Sequence, residues 1–420
     1  MKTININNFE EKLIYEKLSN GLEIYMIPNK LKKNFFCMMV TKFGGKDLEF
    51  KIDNNEYKVP SGVAHFLEHK LFESSDLKPF NFYAKSGTDV NAVTTYDYTG
   101  YYFSGNNDFN NNLIYIINWL NHFSITKEKV DKEKGIILEE AHMYKDVPER
   151  VLIEKLNNNT FIKSNKRLKV IGQDNDIKNI TKEDLELCYN TFYTPNNMAL
   201  LITGNFDYEE ALKIIKEEYK KIKKENVKVT IKEEQEPDEV LKEYEEINMN
   251  IELPKLGICY KLNKDKFSKL NINNYLLDYY IFMVLTLGFG NTSEFYEELY
   301  KQEKFISFDY DLSDIKDHYI ITLYSNTNKE KELEESIDNY VNNINLNEQD
   351  FERIKKSWIS TEIKASDSIN ASLYNILDDI LDYNEYKNNK ITDIKNLDFK
   401  TLEEVKELLD FSAKSTVIVK

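Results

Sequence analysis

A chain of 420 residues with 28 Tyr and 24 Phe but only 13 Gly and seven Pro is well-packed globular matter, which excludes a disordered or fibrous protein. Its formal charge of −16 is spread over Glu and Lys interspersed along helix-like segments, a solvated surface that argues against nucleic acid as a partner. The length exceeds what one hydrophobic core usually organises, so two domains are expected. Cys37, Cys188 and Cys259 are too few and too scattered for a disulfide framework or a thiolate metal site. Residues 1–10 are polar, and no run approaches the apolar length of a membrane span. The expected location is the cytoplasm, with no membrane span.

In chain order, residues 18–26 are expected to give a strand, a turn at Asn20-Gly21 and the start of a second strand, and 34–40 a short buried strand. A helix is expected over 63–72. Residues 90–103 are rich in Thr, Val and Tyr with near-alternation and read as strand; 110–123 return to helical spacing. A long helix over 128–144 ends before Pro148, and 199–204 is an apolar strand. This order of strands and helices predicts an α/β (α+β) fold. From 220 to 246 the chain turns to Lys and Glu runs without a sizeable apolar face, so 226–246 is expected to be an interdomain linker. It would separate a metal-binding catalytic domain at 1–225 from a second domain at 247–420. The second half repeats the first more weakly, with a strand at 256–260, a helix at 275–287, a strand at 318–324 and a last strand at 416–419 that echoes 200–203. A duplicated domain is the expectation.

The helix at 63–72 carries His65-Phe66-Leu67-Glu68-His69, the inverted H-x-x-E-H zinc motif. Four residues apart on a helix, the two imidazoles share a face and can reach one ion, while Glu68 points at whatever that ion activates. The plain alternative is a surface helix with two solvated histidines. Against it stand the small or apolar flanks Gly62, Val63, Ala64, Phe66, Leu67, Leu71 and Phe72, which predict burial and hence partners for the polar residues.

A catalytic zinc wants three protein ligands and an open position, so a third must be found. His122, His142 and His318 are isolated. The stretch Glu133-Lys134-Gly135-Ile136-Ile137-Leu138-Glu139-Glu140 offers better candidates. Glu140 has Ile136 and Ile137 one turn before it and Met143 and Tyr144 one turn after, which places it in the middle of an apolar face, with Glu139 towards the flank. A carboxylate on a buried face is costly unless a cation neutralises it. Glu133, two turns before Glu140, lies on the same stripe and could orient the site from behind. An ordinary exposed glutamate is the alternative for Glu140.

The pattern Gly62-x-Ala64-His65-Phe66-Leu67-Glu68-His69, then Asn91-Ala92-x-Thr94, then Glu133 and Glu140, the latter 75 residues after His65, resembles the pitrilysin and mitochondrial processing peptidase family of zinc peptidases. Leu18-Ser19-Asn20-Gly21-Leu22 and Thr203-Gly204-Asn205-Phe206 resemble the first hairpin and the end of the first domain in that family. The resemblance implies one Zn²⁺ per chain held by His65, His69 and Glu140, a base at Glu68 and a supporting carboxylate at Glu133. It implies two homologous domains, each with a mixed, mainly antiparallel sheet flanked by helices, forming half of a clamshell that encloses a peptide chamber. It also implies an edge strand at 90–95 on which extended peptides lie, with Asn91, Ala92 and Thr94 contacting substrate; an ordinary core strand is the alternative there.

One departure concerns the second domain. Where the family carries Arg and, seven residues later, Tyr, this chain has Tyr300 and Ser307; its only arginines are Arg150, Arg167 and Arg353. The resemblance therefore implies a heterodimer whose homologous partner supplies the Arg and Tyr, with a homodimer or a dispensable pair as alternatives. Gly288-x-Gly290 is a weak nucleotide-loop signal, discounted because no third Gly or acidic ribose contact follows. The expected activity is a zinc-dependent endopeptidase acting on peptides or small unfolded polypeptides. A non-catalytic assembly subunit and a zinc hydrolase of small molecules are the competing readings.

Overall fold

The computed structural model describes residues 1–6, 11–73 and 77–420. Among these residues three sheets organise the strands. The largest has seven: β1 (Lys2–Asn5), β2 (Lys12–Lys17), β3 (Glu23–Pro28), β4 (Phe35–Thr41), β5 (Asp89–Thr94), β6 (Thr99–Gly105) and β7 (Met198–Gly204), in the spatial order β1-β2-β3-β7-β4-β6-β5. A second has five: β8 (Tyr244–Ile247), β9 (Lys255–Asn263), β10 (Ser307–Ile315), β11 (His318–Asn326) and β12 (Lys414–Val419), in the order β8-β12-β9-β11-β10. A small ribbon joins Glu49–Ile52, Asn55–Lys58 and Val229–Ile231.

The two large sheets share one plan. In the first, β7 is parallel to β3 and antiparallel to β4, then β6 and β5 follow antiparallel. In the second, β12 is parallel to β8 and antiparallel to β9, then β11 and β10 follow antiparallel. Taken in chain order, β3, β4, β5, β6 and β7 correspond to β8, β9, β10, β11 and β12. The expected duplication is thus a repeat of topology, and the echo between 200–203 and 416–419 is the correspondence of β7 with β12.

The hairpin at Asn20-Gly21 forms as expected. The Asn20 side chain accepts from Leu22 N at 3.2 Å, Gly21 N donates to Leu18 O at 2.9 Å, and Gly21 takes φ +93°, a left-handed conformation natural to glycine. The near-alternating run at 90–103 is two strands rather than one, because Thr95–Tyr98 turns the chain: Thr95 N donates to Tyr98 O, and the Thr95 hydroxyl accepts from Asp97 N and Tyr98 N.

The helices that matter here are α1 (Val63–Glu73), α2 (Lys127–Tyr144), α3 (Pro148–Thr160), α4 (Asn274–Phe289) and α5 (Ile369–Asp382). The chain forms two compact units that interleave in sequence: Met1–Ala141, Leu168–Glu233 and Ile363–Lys390 in the first, and His142–Arg167, Glu234–Glu362 and Ile391–Lys420 in the second. Contiguous domains at 1–225 and 247–420 were the expectation. The interleaving comes from two helices. Leu373, Ile376, Leu377 and Ile380 of α5 cover the face of the first sheet formed by Tyr25, Ile27, Phe36, Met38 and Val40. Leu152 and Leu156 of α3 cover Cys259, Ile320, Val417 and Val419 on the second sheet. Each fully buried Leu or Ile contributes about 1.5–3 kcal/mol of burial free energy, so apolar matching decides which sheet such a helix joins.

The acidic run expected to be linker is partly structured. Val229–Ile231 and Tyr244–Ile247 are strands, and Glu236 is buried. Its carboxylate accepts from Ile162 N, Lys163 N and Ser164 N at 2.7–2.8 Å and pairs with the buried Lys261 ammonium at 2.9 Å. Gly288 lies inside α4 and Gly290 just past its end, so this pair marks a helix terminus and not a phosphate-cradling loop.

Candidate metal centre

The helix α1 begins where Gly62 lets two chain segments touch. Gly62 has φ +87°, and a Cβ there would run into the Ile171 carbonyl, so close approach and backbone conformation both require glycine. Val63, Ala64, Phe66, Leu67, Lys70 and Leu71 are buried, and Trp119 Nε1 donates to Leu71 O at 2.7 Å, pinning the end of the helix. His65, Glu68 and His69 share the remaining, partly exposed face.

On α2 the buried stripe is Val130, Glu133, Ile137 and Ala141. Glu140 borders it, partly exposed, while Ile136 and Met143 are exposed at 43% and 66%. The expected apolar face around Glu140 is therefore corrected: Ile137 and Ala141 form it, and Ile136 and Met143 point to solvent. Helical spacing alone assigned all the nearby apolar residues to one side, although 136 and 137 differ by about 100° around the axis.

Across the two helices the side chains of His65, His69 and Glu140 offer one ligand atom each, all within 4.8 Å of one another. Both imidazoles face the same carboxylate oxygen: Nε2 of His69 is 3.5 Å and Nε2 of His65 is 3.9 Å from Glu140 Oε2. Among the described residues this is the group of three that could hold a metal ion. Two imidazoles and one carboxylate are a donor set used by catalytic zinc sites. His122 and His142 are on the surface, and His318 is buried in the second unit with Nε2 2.8 Å from Asp238 Oδ1.

The groups around these donors fix their orientation. His69 donates from Nδ1 to Glu133 Oε1 at 3.1 Å, leaving Nε2 as the ligand atom. Burial pushes the Glu133 carboxyl up, but its bonds to His69 and Lys70 outweigh that and hold it well below the usual carboxylate range. Burial draws the His69 pKa down, and the carboxylates of Glu133, Glu140 and Glu68 more than reverse this, so the net shift is upward. A ring surrounded by three carboxylates is a place that favours a cation.

Glu68 is raised by burial, against the Thr94 hydroxyl and His69, which pull it down. Thr94 Oγ1 donates to Glu68 Oε2 at 2.5 Å. Thr94 therefore holds the carboxylate of Glu68, a contact the sequence did not disclose. Asn91, Ala92 and Thr94 all lie on β5, the edge strand of the seven-stranded sheet, and Asn91 Oδ1 accepts from Ala92 N at 2.9 Å. Sequence reasoning also missed Lys70, an ammonium that pairs with Glu133 behind the histidines. The available signal was a Lys at helical spacing from Val63, Phe66 and Leu67, on the apolar stripe of the helix.

In the second unit Tyr300 is 60% exposed on the helix Glu294–Lys301. Ser307 opens β10, where its Oγ accepts from Asn326 Nδ2 at 2.8 Å. Arg353 is tied to Asp350 and to Thr292 Oγ1, and Arg150 lies over the Tyr144 ring at 3.5 Å.

The chain is similar to proteins named as zinc proteases. Residues 54–174 match the family described as "Insulinase (Peptidase family M16)", and residues 179–357 the one described as "Peptidase M16 inactive domain". The chain is 35% identical over 318 residues to "Uncharacterized zinc protease YmfH" of Bacillus subtilis (strain 168), covering 74% of this chain and 73% of that protein. It is 31% identical over 228 residues to "Probable zinc protease PqqL" of Escherichia coli (strain K12), covering 51% of this chain but only 23% of that longer one. Among solved structures, the "putative M16-like peptidase from Alicyclobacillus acidocaldarius" superposes with a TM-score of 0.92 at 27% identity, covering 98% of this chain and 99% of that one. A protease from Helicobacter pylori superposes at 0.82 with 18% identity, covering 98% and 100%, a likeness of fold alone.

Proposed function

The chain belongs to peptidase family M16, the pitrilysin and mitochondrial processing peptidase group, and on that premise we propose that it is a zinc-dependent endopeptidase acting on peptides or small unfolded polypeptides. The observation that carries the reading is the convergence of His65, His69 and Glu140 beside the held carboxylate of Glu68. These three would hold one Zn²⁺. When bound, zinc supplies Lewis acidity that polarises a peptide carbonyl and makes water acidic enough to lose a proton near neutral pH.

The residues of the chain do the rest. Glu68 accepts the proton from the attacking water and returns it to the departing amine, so no covalent intermediate with the protein is needed. The Thr94 hydroxyl keeps the carboxylate of Glu68 in one rotamer for that transfer. Glu133 sets the tautomer of His69. The free edge of β5, with Asn91 and Ala92, would pair with the backbone of an extended peptide and so bind with loose sequence preference.

The proposal includes a closed chamber formed with a second, homologous subunit. What supports it is the pair Tyr300 and Ser307 at the positions where the family places Arg and Tyr, since neither can donate as a guanidinium does. A homodimer is the simpler form of the same idea. The three buried thiols suit a reducing cytoplasm, which is the proposed location.

The test is cleavage of a mixed quenched-peptide library by the purified protein, alone and with a co-encoded related subunit, with Glu68→Gln as control. The variant is expected to retain zinc and to lose activity by about 10²–10⁴-fold. Activity that appears only with the related subunit supports the heterodimer. Stoichiometric zinc without cleavage under either condition favours the non-catalytic assembly subunit instead.

A further inference from the structure

Behind the metal centre lies a buried ammonium that the proposed chemistry does not use. The Lys70 side chain is 1% exposed on α1, directly after His69. It forms an ion pair with Glu133, donates to Glu73 Oε2 at 2.8 Å, and reaches Lys129 O at 3.5 Å. Glu73 is on α1, while Lys129 and Glu133 are on α2. Glu133, 4% exposed, gives its Oε1 to His69 Nδ1 and its Oε2 to Lys70. Lys70 and Glu133 thus form a buried polar link between the helix that carries His65 and His69 and the helix that carries Glu140, beside the more exposed bond from Lys129 Nζ to Glu73 O at 3.2 Å.

The need for such a link follows from the division of the donors. A site with two ligands on one helix and the third on another keeps its geometry only as well as the helices keep their register. Glu140 follows Glu133 by seven residues, about two turns and about 10 Å along the axis, on nearly the same face of α2. Fixing Glu133 against Lys70 and His69 therefore fixes where along α1 the Glu140 carboxylate arrives. A buried carboxylate without a counter-charge would be costly at that position, and a neutral residue at 70 would leave Glu133 free to turn away from His69.

Resting on the zinc-peptidase reading, we propose that Lys70 is a positioning residue for the metal centre. Its ammonium holds the Glu133 carboxylate in the orientation that directs His69 Nε2 and locks α1 to α2 at the spacing that brings Glu140 to both histidines. Lys70 touches neither metal nor substrate and acts only through Glu133.

The test compares wild type, Lys70→Met, Glu133→Gln and the double variant Lys70→Met/Glu133→Gln, as full chains. Two readouts are taken besides activity: zinc affinity by competition with a chromophoric chelator, and the visible absorption of the Co²⁺-loaded protein, which reports ligand geometry. Ile281→Ala, in the apolar core of the other unit, controls for general loss of stability. Lys70→Met is expected to weaken zinc binding about 10–100-fold and to alter the Co²⁺ spectrum, as loss of an orienting partner behind a ligand does. Glu133→Gln is expected to match it, and the double variant to be no worse than either single one, because the two act as one device.

Wild-type affinity and spectrum in Lys70→Met, or additive losses in the double variant, would overturn the proposal. If Lys70→Met leaves Glu133 so poorly compensated that it does not fold, the double variant removes both charges together and decides alone: wild-type zinc affinity in it overturns the role, and a 10–100-fold loss supports it. Failure of the wild type to bind zinc would instead overturn the zinc-peptidase reading itself, and the two failures are therefore distinct.

Discussion

The helices α1 and α4 occupy the same place in two copies of one topology, each lying in sequence between the strand that pairs centrally and the edge strand of its sheet. In α1 the face left open by the buried residues carries His65, Glu68 and His69. In α4, eleven of sixteen residues are buried, among them Ile281, Val284 and Leu285, and no histidine is present. The same backbone plan thus presents candidate metal donors in one unit and a packing helix in the other. What sets the strand order is the apolar pattern, which both copies keep; what sets them apart is a handful of polar residues, His65, His69 and Glu140, which among the described residues come together in the first. This agrees with the general rule that function resides in sites and not in folds.

Buried acids sharpen the contrast. In the second unit Glu236 is compensated by Lys261 and three backbone N–H groups; burial pushes it up, but these donors bring it below the ordinary range. In the first unit burial pushes Asp47 up to about 7, although Gly44 N–H and Lys46 pull it down. One acid is held charged, and the other is shifted towards its neutral form.

These differences can be tested, beginning with the largest effect on stability. Glu236→Ala should leave the Lys261 ammonium buried beside only the Thr160 carbonyl, at a cost of about 3–5 kcal/mol in chemical denaturation, with zinc affinity unchanged. A fall in zinc binding as well would show that the effect of Glu236 is not confined to its own unit. Ile281→Ala removes core volume from α4 and should cost about 2–5 kcal/mol, again without effect on the metal centre. A change in the Co²⁺ spectrum of that variant would erase the distinction between the packing helix and the site helix.

The pH response of Asp47 comes next. Its folded pKa lies above the ordinary 3.8, so folding favours the neutral form; this contribution is complete below about pH 4 and is lost as pH rises through about 7. Asp47→Asn keeps an acceptor for Gly44 N–H and cannot ionise. The difference in Tm between the variant and wild type should therefore widen from pH 5 to pH 8 in favour of Asn, and a flat difference would remove the burial argument. Glu236 has the opposite sign, its contribution being present at neutral pH and lost as pH falls through its lowered pKa. The smallest effect is Gly135→Ala. Gly135 sits inside α2 with nothing within 4 Å of the added Cβ, and the variant should gain about 0.5–1 kcal/mol without changing zinc affinity.

Several features were legible in the chain because their causes are local. Two histidines four residues apart on a helix face one way whatever surrounds them. Residues 18–22 specify their turn, and the strands at 35–41 and 198–204 are continuous apolar runs. Glu140 was found by a face argument of which only Ile137 survived, since a helical wheel cannot tell which side of an amphipathic surface the rest of the protein will cover.

What the sequence by itself determined is the type of the long periodic elements, the repeat of the strand pattern and the choice of three residues as candidate metal donors, because periodicities of 2.0 and 3.6 residues are properties of the backbone. What only the tertiary structure decided is who touches whom across long separations. His69 meets Glu133 over 64 residues and Thr94 meets Glu68 over 26. Lys70 becomes a buried partner of Glu133 because α1 and α2 pack side by side, and α5 joins the first sheet from 160 or more residues away because its apolar stripe fits there. Such pairings depend on packing between elements, which no local pattern encodes.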